Sequence, residues 1–319
     1  PDADYRIGAN YRNQWSSIMT VPYKTMSVFG DAQLFRDRLE TGWLGLGGVI
    51  LSDVAGTGSL RSTKVYGSVA YHQMLGYSSL LSAGFNVGYA EKRIDPSKLK
   101  FPDQFDGEFF DGNLPTTGLP VSNSSRYFDL QAGINYAYFP QENVYLNAGY
   151  SIQHVNKPRE TFYADKTASG IIPMRHIAFA NAILKVHEKV ILSPNAYFSI
   201  QSKATEIMGG VLEKVILSPN AYFSIQSKAT EIMGGVLANY NLSEAGEMQL
   251  IGGAYYRHKD AVMPMVGFEV KNVRFLFSYD VTTSSMSNFN NSRGALEFSL
   301  VKKGFYPTSA GRQSMCPSF

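Results

Sequence analysis

The sequence predicts an all-β fold, a transmembrane antiparallel up-and-down β-barrel. Three observations carry that reading: period-two alternation, strands of membrane-crossing length, and connections that are long at one end and short at the other. From Phe128 the even positions are apolar (Phe128, Leu130, Ala132, Ile134, Tyr136, Tyr138), while Asp129, Gln131, Gly133, Asn135 and Ala137 fall between them. After a short turn at 140–143 the alternation resumes as Val144, Leu146, Ala148, Tyr150 and Ile152, which makes a hairpin. The same pattern sets Tyr5, Ile7, Ala9 and Tyr11 against Arg6, Gly8, Asn10 and Arg12. It also sets Leu81, Ala83, Phe85, Val87 and Tyr89 against Ser82, Gly84, Asn86 and Gly88, and Val273, Phe275, Phe277, Tyr279 and Val281 against Arg274, Leu276, Ser278, Asp280 and Thr282. These stretches run roughly 10 to 14 residues, about twice the usual globular strand. That is the length a tilted strand needs to cross a hydrocarbon core of about 30 Å.

Composition agrees. Charged residues make up 17% of the chain, while 20 Tyr, 20 Phe and 29 Gly favour strands and tight turns. A net charge of +3 with no long Lys/Arg run sets nucleic acid aside. The single Cys316 excludes an internal disulfide framework and a Cys-based zinc knuckle. No apolar run approaches the length of about 18 residues that a spanning helix needs, which excludes a helical membrane protein. Pro1 is not followed by the charged and apolar segments of a signal peptide, so a cleaved leader is neither seen nor denied.

In chain order the expected strands are 4–15, 24–35, 43–54, 62–74, 78–93, 126–139, 144–157, 173–186, 189–201, 205–212, 215–226, 230–242, 248–259, 261–271, 273–283 and 293–303. With strand one ascending from the periplasm, the outer loops are 16–23, 94–125, 158–172 and 284–292. The opposite turns, at 75–77, 140–143, 187–188 and Asn272, are short. Residues 188–212 recur unchanged at 213–237, a period of one hairpin. A perfect pair is either a recent duplication or an error of sequence assembly: with both copies the barrel has 16 strands, with one it has 14. Strand 205–212 is then the shortest, turning through Glu213 and Lys214, and the mid-strand Pro194 and Pro219 call for bulges or kinks. The division is therefore a barrel at 1–303 and a periplasmic tail at 304–319.

No residue pattern calls for catalysis, a metal or a cofactor. His72, His154, His176, His187 and His258 are scattered and fit polar lumenal or interfacial roles, although Ser68 or Ser151 near a histidine stays open. The carboxylates Asp103, Asp106, Glu108 and Asp111 lack EF-hand spacing and read as a solvated loop. Gly45, Gly47 and Gly48 sit in no βαβ unit and are strand glycines. Inward positions bearing Arg6, Arg12, Asp129, Arg274, Asp280 and Glu297 are mixed in sign and favour mutual pairing. Candidate partner contacts are Arg6, Arg12, Gln14, Trp15, Asp129, Asn135, Arg274 and Asp280 in the lumen, and Phe101, Asp103, Phe105 and Asp106 on the long outer loop. Phe305, Cys316, Pro317 and Phe319 are the candidates in the tail.

The elements YRIGANYRNQW at 5–15, KLKFPDQFDGEFF at 98–110, RFLFSYDVTTSSMSNFNNSRGALEFSL at 274–300 and CPSF at 316–319 resemble the PorP/SprF family. The duplicated hairpin departs from that resemblance. The family is an outer-membrane family of the Bacteroidetes associated with type IX secretion and gliding motility. The resemblance implies a non-enzymatic barrel in outer-membrane lipid that exports, or holds at the surface, an adhesin with a C-terminal sorting domain. It also implies contact with periplasmic or lipoprotein components of the secretion and gliding machinery. The competing class is an outer-membrane pore or transporter for small or hydrophobic molecules, which requires an open or apolar lumenal path.

Overall fold

The computed structural model describes residues 3–16, 18–36, 39, 41–56, 58–116, 122–163, 170–187, 190–202, 204–214, 217–226, 229–243 and 248–306. Among them are 16 strands. They are β1 (Tyr5–Gln14), β2 (Tyr23–Leu34), β3 (Gly42–Ala55), β4 (Leu60–Met74), β5 (Ser79–Arg93), β6 (Ser124–Gln141), β7 (Val144–Gln153), β8 (Arg175–His187), β9 (Val190–Gln201), β10 (Ala204–Lys214), β11 (Leu217–Gln226), β12 (Ala229–Asn241), β13 (Met248–Arg257), β14 (Ala261–Val270), β15 (Val273–Thr282) and β16 (Arg293–Gly304). Each strand pairs antiparallel with its sequence neighbours, and β1 closes the ring on β16 through Tyr5↔Gly304 to Gln14↔Ala295. Closure leaves no unpaired edge, which is what a lipid environment requires of a sheet. No helix among the described residues is long and apolar enough to cross a membrane. Among the described residues the one α-helix, α1 (Ser287–Asn290), is a single turn in the last loop.

The connections 94–123, 154–174 and 283–292 lie at the end opposite the termini, whereas the links on the terminal side are short. One of these is a two-residue turn at Lys271 (φ 48°) and Asn272 (φ 65°), flanked by Val270↔Val273. Both residues adopt the left-handed conformation that a primed hairpin turn requires.

Both copies of the repeat lie in the wall as consecutive hairpins, β9–β10 and β11–β12. Two expectations about them are corrected. β10 has 11 residues and is longer than the ten-residue β1, because Glu213 and Lys214 continue the ladder as Glu213↔Leu192 and Lys214↔Ile191. Pro194 and Pro219 introduce no bulge. The register passes through Val211↔Pro194 and Pro219↔Val236 unshifted. Proline lacks one donor, and that donor serves one neighbouring strand only. On the β8 side, pairing skips from Asn181↔Asn195 to Leu184↔Leu192 without changing register; on the β10 side, Pro219 lies just past the last pair, Leu212↔Asn220. Pro264 behaves like Pro194, interrupting the β14–β15 ladder between Val262↔Val281 and Met265↔Ser278.

Several glycines are explained by what lies over them. Directly opposed pairs place Phe29 over Gly8, Tyr66 over Gly88, Phe179 over Gly149 and Tyr255 over Gly235, all inward, and Tyr5 over Gly304 on the outer face. A methyl at any of these glycines would collide with the ring. The alternation of Gly with large residues on the lumenal face is thus a packing device that lets an aromatic lie flat against the neighbouring strand. At the terminal end, inward-facing Trp43, Leu80, Ala137 and Phe139 form a buried cluster, extended by Met74 and Tyr145.

Candidate functional site

Several lumenal charges stand in separate paired groups. At the outer end of β1, Arg12 donates to Asp280 Oδ2 at 2.9 Å and to Glu297 Oε2 at 3.0 Å, joining β1, β15 and β16. Arg257 approaches the same Asp280 at 3.5 Å and donates to Asp260 at 3.0 Å. Gln14 sits one step further out, opposite Tyr23 and Ala295. Trp15, with φ 59°, ends the strand and meets Tyr23 edge-on at 5.5 Å. Arg12, Gln14, Trp15 and Asp280 therefore share one rim. Arg6 and Arg274 lie at the opposite end, paired with Asp31 at 3.0 Å and Glu269 at 2.7 Å.

Asp129 forms a second centre. Its carboxylate has no solvent exposure, accepts from Tyr66 Oη at 2.8 Å and Gln131 Nε2 at 3.0 Å, and lies 2.8 Å from His154 Nδ1. Asn135 is separate. It lines a lumenal pocket of about 380 Å³ with His72, Ser82, Asn86, Gln131 and Gln153, and its buried Oδ1 has no hydrogen-bond partner. Among the described residues the serine hydrogen-bonded to a histidine is Ser82, at 2.8 Å from His72 Nδ1, and neither Ser68 nor Ser151 makes such a bond. His72 stacks on Trp43 at 5.1 Å, which fits a packed polar residue. The lumenal face is not polar all round: Met263, Met265, Leu276 and Val301 also face inward on β14–β16. The outer face fixes the parity of a strand and leaves the polarity of its inner positions open.

The outer loop between β5 and β6 is folded by its own hydrogen bonds. The buried Gln104 accepts from the Phe101 amide at 3.1 Å and donates to Gly112 O at 3.3 Å. Asp106 Oδ1 accepts from the amides of Phe109 at 2.7 Å and Glu108 at 2.8 Å, which hold its carboxyl below the usual carboxylate range. A bridge joins Phe105 to Phe110. Phe101 lines a pocket with Val21, Leu99, Phe110 and Leu114, whereas Phe105 and Phe109 remain 55% and 72% exposed. Asp103 and Asp106 do not converge with other carboxylates, and no cluster of metal-ligating groups is present among the described residues.

Of the tail, Phe305 and Tyr306 are exposed, and the Tyr306 amide is held by Asp4 Oδ2 at 2.8 Å. Cys316, Pro317 and Phe319 lie outside the described residues. Sequence reasoning missed Tyr66, Gln131 and His154 as partners of Asp129, and Arg257 as a partner of Asp280. Their inward parity was readable, but the Tyr66–Asp129 and Arg257–Asp280 contacts each need the register of three strands.

Among solved structures, CdiB from Acinetobacter baumannii superposes with a TM-score of 0.58 at 8% identity, over 94% of this chain and 60% of that one. This chain thus spans about 60% of that chain, less than two thirds of it, and the likeness is one of barrel fold. The Ralstonia pickettii toluene transporter TbuX is similar at a TM-score of 0.44 and 11% identity, over 95% of this chain and 90% of the other. No curated protein sequence matches at a significant level. Residues 2–301 match the family described as type IX secretion system membrane protein PorP/SprF. With a closed barrel, an apolar outer face and a family match over nearly the whole sequence, this chain belongs to the PorP/SprF family of outer-membrane proteins of type IX secretion.

Proposed function

We propose that this barrel is a non-enzymatic component that supports type IX export, or surface attachment, of a partner adhesin carrying a C-terminal sorting domain, and that the 94–123 loop is the contact. The observation that carries this reading is the pair Phe105 and Phe109, held out in water by a loop whose backbone is fixed through Gln104 and Asp106. Exposed aromatics on an ordered loop mark an interaction surface rather than a core. Replacing both by Ser leaves the wall untouched. The expected result is a normally inserted barrel with loss of adhesin from the cell surface; unchanged surface adhesin overturns the reading. The 304–319 tail, anchored at Tyr306 by Asp4, is the proposed contact for periplasmic machinery. Truncation after Lys303 should block export without preventing insertion.

A second reading is favoured by one observation, the inward stripe of Met263, Met265, Leu276 and Val301, which suits passage of a hydrophobic molecule. Single-channel conductance and uptake of apolar solutes by the partner-free barrel in liposomes would support it.

A further inference from the structure

The outward faces of β4, β5 and β6 read as a cross-section of a bilayer. Directly opposed triplets run from Gln73, Leu81 and Tyr136 through Val69, Phe85 and Ala132 to Val65, Tyr89 and Phe128. The rings of Tyr89 and Phe128 meet edge-on at 5.6 Å, forming part of the aromatic girdle on the side of the long loops. Beyond that girdle the next triplet is Thr63, Glu91 and Arg126, and the one after it is Arg61, Arg93 and Ser124. The change from aromatic to basic therefore falls where hydrocarbon gives way to headgroups.

Arg61 and Arg93 are opposed across adjacent strands, an arrangement of like charges that costs stability unless something of opposite sign lies between them. Glu91 answers one of the two only: it accepts from Arg126 at 3.0 Å and from Arg93 at 3.3 Å, leaving Arg61 without an ion pair among the described residues. The two arginines form one wall of a pocket of about 500 Å³ whose other wall is the base of the long loop, with Asp95, Lys98 and Asn123. Lys98 is tied across the pocket to Ser59 Oγ at 3.1 Å and lies 3.5 Å from Asp95 Oδ2, the Asp95 amide donates to Gly58 O at 3.0 Å, and the Ile94 amide donates to Asn123 O at 2.9 Å. The cleft is therefore framed by strand ends and a braced loop, with the two arginine side chains projecting into it.

We infer that this cleft binds the phosphate of an outer-leaflet lipid headgroup, with Arg61 and Arg93 gripping the oxygens, while Lys98 offsets the carboxylate of Asp95 on the opposite wall. Guanidinium forks match phosphate oxygens in pairs, and a phosphate between the two arginines removes their mutual repulsion. The apolar tails of the same lipid would lie along Tyr89, Phe128, Val87 and Val65, so charge and grease are stacked in the order a phospholipid or phosphoglycolipid requires. This inference rests on the membrane placement of the barrel and is independent of the proposed adhesin contact.

The test uses the full chain in nanodiscs, titrated with a phosphorylated lipid A, with its chemically dephosphorylated form and with inorganic phosphate, with binding followed by native mass spectrometry. The expected result is saturable binding of the phosphorylated lipid, weakened on the order of tenfold in an Arg61→Gln/Arg93→Gln variant, with little binding of the dephosphorylated form. An Arg61→Lys/Arg93→Lys variant, which keeps the charge and loses the forks, should fall between. Heat-modifiable gel mobility confirms that each variant is folded. Equal binding of both lipid forms, or no difference between the wild type and the Gln variant, overturns the inference. So does inorganic phosphate that competes fully at the same concentration as the lipid, since the site would then recognise a free anion.

Discussion

The phenol of Tyr66 donates a 2.8 Å hydrogen bond to Oδ2 of Asp129, a carboxylate without solvent exposure, from a strand that does not adjoin the one bearing Asp129. The bond spans β5, whose Gly88 is the gap over which the Tyr66 ring lies. Removing the phenol leaves Asp129 with Gln131 and His154. Tyr66→Phe should therefore lower stability by about 1 kcal/mol, and Asp129→Ala, which strands three partners, by about 2 to 3 kcal/mol. Denaturant titration of the refolded barrel in lipid checks both values.

Gly88 leaves room for that ring. Gly88→Val should destabilise by roughly 1 to 3 kcal/mol through overpacking. Most of that loss should disappear in a Tyr66→Ala background, where the space is vacant. A double-mutant cycle with purely additive effects would contradict the packing seen here.

Arg12 joins three strands at the outer mouth through Asp280 and Glu297. Arg12→Leu should leave insertion intact, because the side chain faces inward and its lipid-side neighbours Tyr11 and Asn13 are unchanged. It should still cost about 1 to 3 kcal/mol, since Glu297 loses its partner and Asp280 keeps only the longer contact to Arg257. Failed insertion, read by heat-modifiable mobility, would place Arg12 on the wrong face.

Deleting residues 213–237 should give a folded barrel of fourteen strands. The cut joins Leu212 to Ala238, so the resulting strand carries the same residues as β12 and meets β13 in the same register. An even count and the position of both termini are preserved. Cryo-electron microscopy or strand counting by solid-state NMR checks the result.

The Asp106 carboxyl lies below the usual carboxylate range because the amides of Phe109 and Glu108 donate to its charged form. A depressed folded value means that its stabilisation is fully present above the unfolded value of about 3.9 and is lost as pH falls through the folded one. Hydrogen exchange at residues 108 and 109, corrected for intrinsic rates, should show protection from neutrality down to about pH 4 and loss only below it. In Asp106→Asn the pH dependence should vanish.

Each strand was legible in the sequence because lipid fixes one face. Phe128, Leu130 and Ile134 can point only outward, and a slip of one residue would put Asp129 into hydrocarbon. Parity followed from the same constraint, whereas the length of β10 did not, because Glu213 and Lys214 stay on the ladder. What was not legible depends on neighbours in space. The Asp129 centre needs Tyr66 from two strands away, and the apolar stripe at Met263 and Leu276 lies on a face where lipid imposes nothing. The behaviour of Pro194 depends on which neighbouring strand loses the donor. The outward Arg61 and Arg93 break the alternation only where the bilayer ends, a position visible once Tyr89 and Phe128 are aligned beside them.

The most direct measurement of the central claim is site-specific photo-crosslinking from position 109 in the native outer membrane, with position 87 on the lipid face of β5 as control. The loop contact predicts that position 109, and not 87, captures one high-mass secreted protein whose C-terminal sorting domain is identified by mass spectrometry. No polypeptide captured at 109, together with a barrel that conducts ions when purified without a partner, would contradict it.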